Sequence, residues 1–266
     1  MRALDPYPFW YGLSTVAPKL PGQAGLPLVD MTRQPRTIAL VGIDGSGKTT
    51  QAHRLAEALA AEGLSAAYRR NAGGRRWFGR LSARLGRGDD AEDLLGRRAM
   101  LFVESLLRWL AILRTLLRRA LTGEITVMDR HAVCQYASLR ARAARPAAER
   151  RARRAYRVFP RPDVTFLLAV DPLVAHDRIE ARGYDHETTE YLSAAAAAYR
   201  SLPEYGDFVV IDANAAADRV AAEIRARLPI PAPVTRARTR MRTLILAGGP
   251  LLAGATALGH QLSEAL

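Results

Sequence analysis

The stretch that decides the fold is residues 42–50, GIDGSGKTT. It follows an apolar run at residues 37–41 and precedes a segment with helical spacing, so it matches the phosphate-binding pattern G-x-x-x-x-G-K-S/T in its strand–turn–helix context. Glycines let the backbone bend until successive N–H groups point at phosphate oxygens, and the following helix adds its positive N-terminal end. The stretch therefore predicts a binding site for a nucleoside triphosphate.

Two residues of this stretch have the most defined chemistry. Lys48 is expected to reach the β- and γ-phosphates, and the hydroxyl of Thr49 to ligate Mg²⁺. Lys19 is the only other lysine among 39 basic residues, so a chain that otherwise uses arginine has a compact ammonium where a phosphate cradle needs one. The residues predicted to contact the nucleotide are Gly42, Asp44, Gly45, Ser46, Gly47, Lys48, Thr49 and Thr50.

Length and cysteine content limit the class of protein. The 266 residues can bury one substantial core, and we predict one domain with loose ends. Cys134 is the only cysteine, which excludes an intramolecular disulfide and agrees with a reducing, cytoplasmic location. With one cysteine and scattered histidines, the sequence has no zinc constellation.

The chain is strongly basic, with a net charge of +13 that would attract polyanions. Residues 140–157 contain eight arginines against the single acid Glu149. A solvated basic face and a contact with nucleic-acid phosphates both fit this pattern; the contact would be strongly salt-dependent, because the segment has few aromatics for base stacking. We expect no specific nucleic-acid partner. The arginines that would share one helical face are Arg150, Arg153, Arg154 and Arg157.

Both ends of the chain differ in composition from its middle. Residues 1–35 contain prolines and glycines that break any helical period, and no basic start precedes an apolar core. We predict a disordered or non-native extension there, with Met31 as a candidate for the natural start. Residues 230–266 are predicted to form a Pro/Arg linker and an apolar tail. The apolar run at residues 243–259 is short for a spanning helix, so a loosely docked tail and membrane association through the tail both stay open.

Apolar runs alternate with helical periods through the middle of the chain. Five runs predict strands, at residues 37–41, 65–68, 125–128, 164–170 and 208–211. Residues 94–121 have apolar side chains at three- and four-residue steps, which predicts a long helix packed on the sheet or on a partner subunit. The alternation predicts an α/β fold, a doubly wound parallel five-stranded sheet with helices on both faces and ligands at the carboxyl ends of the strands.

With these motifs in order, residues 36–228 resemble the thymidylate kinase family of P-loop nucleoside monophosphate kinases. Asp129-Arg130-His131 is similar to the family's Asp-Arg-Tyr or Asp-Arg-His motif, and residues 162–168 to its Pro-Asp-Leu-Thr strand. Residues 178–187 are similar to its lid, and residues 210–214 to its last strand and loop. The order of these landmarks is more specific than any single one after the first. The resemblance implies that residues 36–229 form a P-loop kinase domain with a short lid.

The resemblance implies roles on the acceptor side. Asp44 would hold the sugar hydroxyl of the monophosphate acceptor, and Arg130 would hold its phosphate. Arg70 is a further candidate contact for that phosphate. Asp129 would position Mg²⁺ together with Thr49. The implied reaction is the ATP-dependent conversion of dTMP to dTDP, with ATP and Mg²⁺ as cofactors.

On the donor side, the backbone at Ala213 and Asn214 would contact adenine. Arg178 and Arg182 of the lid would neutralise charge on the migrating phosphoryl group, because the loop itself has no arginine among residues 44–46. The family resemblance further implies nucleotide substrates and a homodimer. The implied catalytic residues are Lys48, Arg130, Arg178 and Arg182.

The sequence departs from the family on the acceptor side. Arg70-Asn71-Ala72-Gly73-Gly74 stands where the family has Arg-Glu-Pro-Gly-Gly. Ser105-Leu106 aligns with an Asp-Arg pair of the long helix, with Arg108 nearby at a different angle. The glutamine expected near thymine is absent, since its position falls at Leu139, and His186 replaces a lid arginine. A base pocket discriminates through paired polar groups, so these changes predict a changed or broadened acceptor.

Two other functions stay open from the sequence. One is a P-loop kinase for a nucleoside or another alcohol, in which Asp44 or Asp129 would act as base toward a hydroxyl. The other is a nucleotide-binding protein with weakened catalysis. Two residues also have purely structural alternatives, Asp129 as a cap of the following helix and Arg178 as a surface arginine.

Overall fold

The structure is a computed structural model that describes residues 35–73, 96–183 and 187–228. The predicted N-terminal extension with Met31, the segment 74–95, and the linker and tail from residue 229 lie outside the described residues. Asp185 and His186 of the predicted lid lie outside them as well. The division of the chain near residues 35 and 229 therefore stays a prediction.

The described residues form five strands and seven α-helices, with one or two helices after each strand and a 3₁₀ turn at Pro203–Asp207. The strands are β1 (Thr37–Val41), β2 (Ala66–Arg70), β3 (Ile125–Asp129), β4 (Val164–Ala169) and β5 (Val209–Asp212). The helices are α1 (Lys48–Ala61), α2 (Arg97–Thr122), α3 (Ala132–Ala141), α4 (Pro146–Tyr156), α5 (Pro172–Glu180), α6 (Thr189–Ser201) and α7 (Ala217–Ala226).

The sheet is entirely parallel, with the strand order β2-β3-β1-β4-β5. β2 and β3 lie on one side of β1, and the chain then crosses to the other side, where β4 and β5 lie. The carboxyl end of β1 is therefore the point at which the winding changes direction, and open α/β sheets bind ligands at such a point. The predicted doubly wound fold is confirmed, and residues 42–47 lie at this position.

Burial on both faces of the sheet explains the near-continuous apolar runs of the strands. Every residue of β1 and β3 is buried, and Phe166 and Leu168 of β4 are at most 1% exposed. Parallel sheets covered by helices on both faces have this composition. β2 extends two residues further than predicted, because its pairing with β3 continues until Arg70 lies opposite Asp129.

Asp163 fixes the start of β1 to the start of β4. Its Oδ2 accepts hydrogen bonds from the N–H groups of Arg36 (2.8 Å) and Thr37 (2.7 Å) and from the Thr37 hydroxyl (2.7 Å). Burial alone would raise the pKa of Asp163, but these bonds outweigh burial and hold that pKa below its ordinary value. The clamp lies at the end of β1 opposite to residues 42–47, so it orients the strand from a distance.

The apolar face of α2 is only partly covered. Met100 and Ile112 are fully buried, as a helix packed on the protein requires. Five large apolar side chains of the same helix are 45% to 87% exposed, namely Phe102, Leu106, Leu110, Leu117 and Leu121. The predicted packing of this helix on the protein itself is confirmed at Met100 and Ile112, whereas packing of its exposed side chains on a partner subunit stays a prediction. Within the described ranges, no helix has the length and apolar character to cross a membrane.

Candidate active site

The loop between β1 and α1 has the backbone that its glycines predict. Gly42, Gly45 and Gly47 have φ values of 142°, 79° and 87°, which residues with a side chain rarely adopt. Gly45 also lies against α5, because a Cβ atom added there would stand 2.4 Å from the carbonyl oxygen of Ala175. The tight bend that turns N–H groups inward therefore depends on glycine, most of all at position 45.

Lys48 is 5% exposed inside this loop. Its ammonium group donates to the carbonyl oxygen of Ile43 and lies 3.5 Å from Ser46 Oγ and 3.6 Å from Asp44 Oδ1. Burial, and next the charge of Arg130, lower the pKa of Lys48, while nearby carboxylates oppose that shift. The protein thus holds a buried cation with few charged partners, and an anionic ligand would stabilise it.

The residues predicted to hold Mg²⁺ lie together. Asp129 is 2% exposed at the end of β3, and its Oδ2 accepts a hydrogen bond of 2.6 Å from Thr49 Oγ1. Its other carboxylate oxygen, Oδ1, is buried without a hydrogen-bond partner. Hydroxyl and carboxylate oxygens are the ligands that Mg²⁺ takes alongside water and substrate phosphates, so the pair fits this ion. The alternative of Asp129 as a helix cap is wrong, since His131 occupies the cap position of α3.

Tyr68 is a neighbour of this pair that the sequence analysis missed. Its hydroxyl donates to Asp129 Oδ2 (3.2 Å), and its ring stacks on His53 with the centroids 3.6 Å apart. Burial, and next the charge of Asp129, raise the pKa of Tyr68 to about 12. Tyr68 therefore stays protonated and acts as a donor that orients the carboxylate.

Asp44 and Arg130 form an ion pair across the loop. The carboxylate of Asp44 raises the pKa of Arg130 well above its ordinary value, against the effect of burial. The pair brings the two residues predicted to hold the acceptor beside Lys48. A phosphate group at this edge of the sheet would therefore meet two cations, Lys48 and Arg130.

Arg178 lies at the predicted adenine loop and not at the phosphate-binding loop. Its guanidinium donates to the carbonyl oxygens of Ala213 (2.8 Å) and Asn214 (3.3 Å). These carbonyls lie just past the end of β5, and the guanidinium fork satisfies both. Arg182 Nε in turn donates to the carbonyl oxygen of Arg178 (3.1 Å). In the structure Arg178 therefore contacts the loop at residues 213–214, and the roles of Arg178 and Arg182 at the migrating phosphoryl group stay predictions.

Other predicted residues lie on the surface near this edge. Arg70 is exposed at the end of β2, opposite Asp129 in the sheet register, and Thr50 is exposed in the first turn of α1. Their predicted contacts stay predictions. In the basic segment, Arg153 forms ion pairs with Glu149 and Glu204, so it is committed to packing α4. The other arginines of the predicted basic face, Arg150, Arg154 and Arg157, are exposed.

A buried polar cluster beside Arg130 also escaped the sequence analysis. Arg108 of α2 donates to Glu104 (2.8 Å) and to Oε1 of Gln135 on α3 (2.5 Å), and none of the three is more than 6% exposed. The amide nitrogen of Gln135 is buried without a hydrogen-bond partner. Gln135 lies one turn of α3 before Leu139, the position at which the glutamine was expected. The available signal was a charged pair at i and i+4 within an otherwise apolar helix face.

The fold and the site define a P-loop phosphotransferase, with a triphosphate cradle at the switch point of a parallel sheet. Comparison with known proteins narrows this class. The family model described as "Thymidylate kinase" matches residues 40–224, and the chain belongs to the thymidylate kinase family.

Individual relatives agree with the family model. The chain is similar to the thymidylate kinase of Xanthomonas euvesicatoria pv. vesicatoria, with 36% identity over 190 residues that cover 69% of this chain and 78% of the relative. It is also similar to the thymidylate kinase of Xanthomonas campestris pv. campestris, with 33% identity over 238 residues that cover 84% of this chain and 99% of the relative.

We predict that Gly45→Ala damages both stability and nucleotide binding. The added Cβ meets the Ala175 backbone and the φ of 79° is strained for alanine, so the free energy of unfolding should fall by about 3 kcal/mol. Gly63→Ala is the matched control, because Gly63 has a φ of 83° but no atom within 4 Å of the new Cβ. It should lose about 1 kcal/mol and keep nucleotide binding.

Urea unfolding measures the stability of the two variants, and calorimetric titration with Mg·ADP measures their binding. Equal losses in both variants would contradict the close approach of the loop to α5.

Proposed function

We propose that this chain transfers the γ-phosphoryl group of ATP to a nucleoside monophosphate, with dTMP as the acceptor and Mg²⁺ as the required ion. The observation that carries the proposal is that Lys48 and Arg130 both lie against the same carboxylate oxygen, Oδ1 of Asp44. One of these cations can bind the phosphates of the donor and the other the phosphate of the acceptor. Phosphoryl transfer requires the attacking and leaving oxygens to lie roughly in line, so the two phosphate sites must be adjacent. Family membership supports dTMP over the other acceptors that the sequence left open.

On the donor side, the N–H groups of residues 42–47 and the ammonium of Lys48 would hold the β- and γ-phosphates. Thr49 and Asp129 would hold Mg²⁺, which neutralises phosphate charge when it is bound. The unpartnered Oδ1 of Asp129 supports this assignment. The adenine would lie against the loop at residues 213–214, whose carbonyl groups Arg178 holds in place.

On the acceptor side, Arg130 would bind the monophosphate and Asp44 the sugar hydroxyl. Arg130 and Asp44 pair with each other in the structure, so an acceptor would exchange this pair for its own phosphate and hydroxyl contacts. An acceptor phosphate has a second pKa of about 6 and is already ionised near neutral pH, so no strong general base is needed. The protein therefore contributes positioning and charge neutralisation, with Arg182 as the proposed lid arginine.

A panel of acceptors tests this proposal. Purified full-length chain with Mg·ATP should convert dTMP to dTDP, with kcat/KM about 10-fold or more above that for dUMP, because one methyl group in an apolar pocket contributes that much discrimination. Nucleosides without a phosphate should not be turned over. Binding of Mg·ATP without phosphorylation of any nucleoside monophosphate would refute the activity.

Arg130→Ala should lower kcat/KM for dTMP about 100-fold through loss of a charge-assisted contact. It should leave Mg·ATP binding in place, because Lys48, Thr49 and Asp129 are unchanged. Arg161→Ala is the matched control, since the Arg161 side chain is 83% exposed in a surface ion pair. Equal activity of the two variants would contradict the acceptor role of Arg130.

We further propose that the exposed face of α2 forms the homodimer that the family resemblance implies. The exposed side chains on this face are large and apolar, and they adjoin a groove of about 280 Å³ lined in part by Phe102, Leu106 and Trp109. A two-fold contact sets one such face against the same face of a second copy, so protruding leucines can fill the partner's groove. Burial of this face would remove a patch that monomers rarely expose.

The dimer is tested by Leu106→Glu together with Leu110→Glu. Two buried like charges at a self-complementary interface oppose association, so this variant should elute as a monomer in light-scattering chromatography. Leu173→Glu is the matched control, because Leu173 is 62% exposed on α5 outside the proposed interface. Monomeric wild-type chain at micromolar concentration would contradict the proposal.

A further inference from the structure

We infer that Asn71 and Thr115 position Arg130 for the acceptor phosphate. They act through the main chain of Arg130 rather than through a contact with the substrate. The kinetic consequences of this inference rest on the proposed function, whereas its structural consequences can be measured without any substrate.

The main chain of Arg130 has an uncommon conformation that is held from both sides. Its φ of 77° lies in the left-handed region, which destabilises residues with a Cβ atom. Its N–H donates to the carbonyl oxygen of Leu40 (3.1 Å), and its own carbonyl oxygen accepts from Nδ2 of Asn71 (2.9 Å). The guanidinium therefore leaves the backbone from a fixed point, and from there it meets Asp44.

Asn71 is itself held in place by buried hydrogen bonds. It is 0% exposed just after β2, and its N–H donates to the carbonyl oxygen of Asp129 (3.0 Å). Its Oδ1 accepts from the hydroxyl of Thr115 (2.9 Å), which is 1% exposed on α2. Only one orientation of the amide fits, because the carbonyl oxygen of Arg130 can accept but not donate. Thr115 thus fixes Asn71, and Asn71 fixes Arg130.

The amide of Asn71 has a chemistry that a carboxylate could not supply. Asn71 stands where the resembled family has Glu, and an ionised carboxylate has no N–H or O–H to donate to the carbonyl of Arg130. It would instead set two acceptors against each other in a buried place, which is worse than losing the bond. The hydrogen bond to the carbonyl oxygen of Arg130 therefore depends on the asparagine at position 71.

Asn71→Ala removes the donor and lets the backbone of Arg130 relax toward an ordinary φ. The guanidinium then no longer points at the acceptor site, so the KM for dTMP should rise about 10-fold. The KM for ATP should stay unchanged, because Lys48 and Thr49 lie on α1. Asn71→Asp, which is closest in size, should be the more damaging variant for the reason given above.

Thr115 supplies a second, milder test in case Asn71 variants fold poorly. Thr115→Val removes the hydroxyl at constant shape and should raise the KM for dTMP about 3-fold, and Thr115→Ser should restore it. Thr37→Val is the matched control, because Thr37 is a buried threonine whose hydroxyl also donates one hydrogen bond, at the far end of β1. It should lose stability without changing either KM.

A double variant separates positioning from general damage. In an Arg130→Ala background there is no guanidinium to place, so adding Asn71→Ala should cause no further loss of kcat/KM for dTMP. A purely structural role for Asn71 would lower activity by the same factor in both backgrounds, and that result would overturn the inference.

Crystal structures of the full-length chain and of Asn71→Ala decide the matter independently of the reaction. The inference expects φ of Arg130 to leave the left-handed region and the pair with Asp44 to break in the variant. An unchanged φ and an intact pair would overturn it. If wild-type chain phosphorylates no monophosphate, the proposed function fails, and these two structures still test the placement of Arg130.

Discussion

The burial of one ammonium group beside a bent stretch of main chain is the constraint on which the rest of the structure depends. Lys48 is 5% exposed, and its contacts are a carbonyl oxygen, a hydroxyl and a carboxylate that it shares with Arg130. A buried cation needs anionic or hydrogen-bonding partners to offset its lost hydration. The glycines of residues 42–47, which follow the fully buried β1, bend the chain around this ammonium group, and phosphate oxygens are the partners that we propose for it.

Asp44 couples the charges of Lys48 and Arg130. Its carboxylate raises the pKa of Arg130 and also opposes the lowering of the pKa of Lys48, while the two cations disfavour each other. If a ligand draws Arg130 away from Asp44, the carboxylate of Asp44 then neutralises the charge of Lys48 alone. The placement of Arg130 by a strained backbone, held by Leu40 and Asn71, keeps this exchange local to one edge of the sheet.

The parts of the structure that depend on local pattern could be predicted from the sequence. The phosphate-binding loop has a fixed spacing, and doubly covered parallel strands read as apolar runs, so residues 42–50 and the five strands were within reach. Contacts between distant segments could not be predicted from the sequence. Arg178 binds the carbonyls of Ala213 and Asn214 because of how α5 lies beside β5, and helical spacing holds no signal for that. Arg108 of α2 meets Gln135 only through the packing of α2 on α3. Asn71 differs from the family residue at its position, and that difference alone gives no signal of its hydrogen bonds to Arg130 and Thr115.

The central claim is that Lys48 binds the phosphates of a nucleotide, and calorimetric titration of the full-length chain with Mg·ADP and a non-hydrolysable Mg·ATP analogue tests it most directly. The test variant is Lys48→Ala. The control is Lys19→Ala, which replaces the only other lysine of the sequence. The account predicts that Lys48→Ala, shown by circular dichroism to be folded, binds either nucleotide about 100-fold or more weakly, because a buried charge–phosphate contact is lost. Lys19→Ala should bind as the wild type does. Undiminished binding by folded Lys48→Ala would contradict the account.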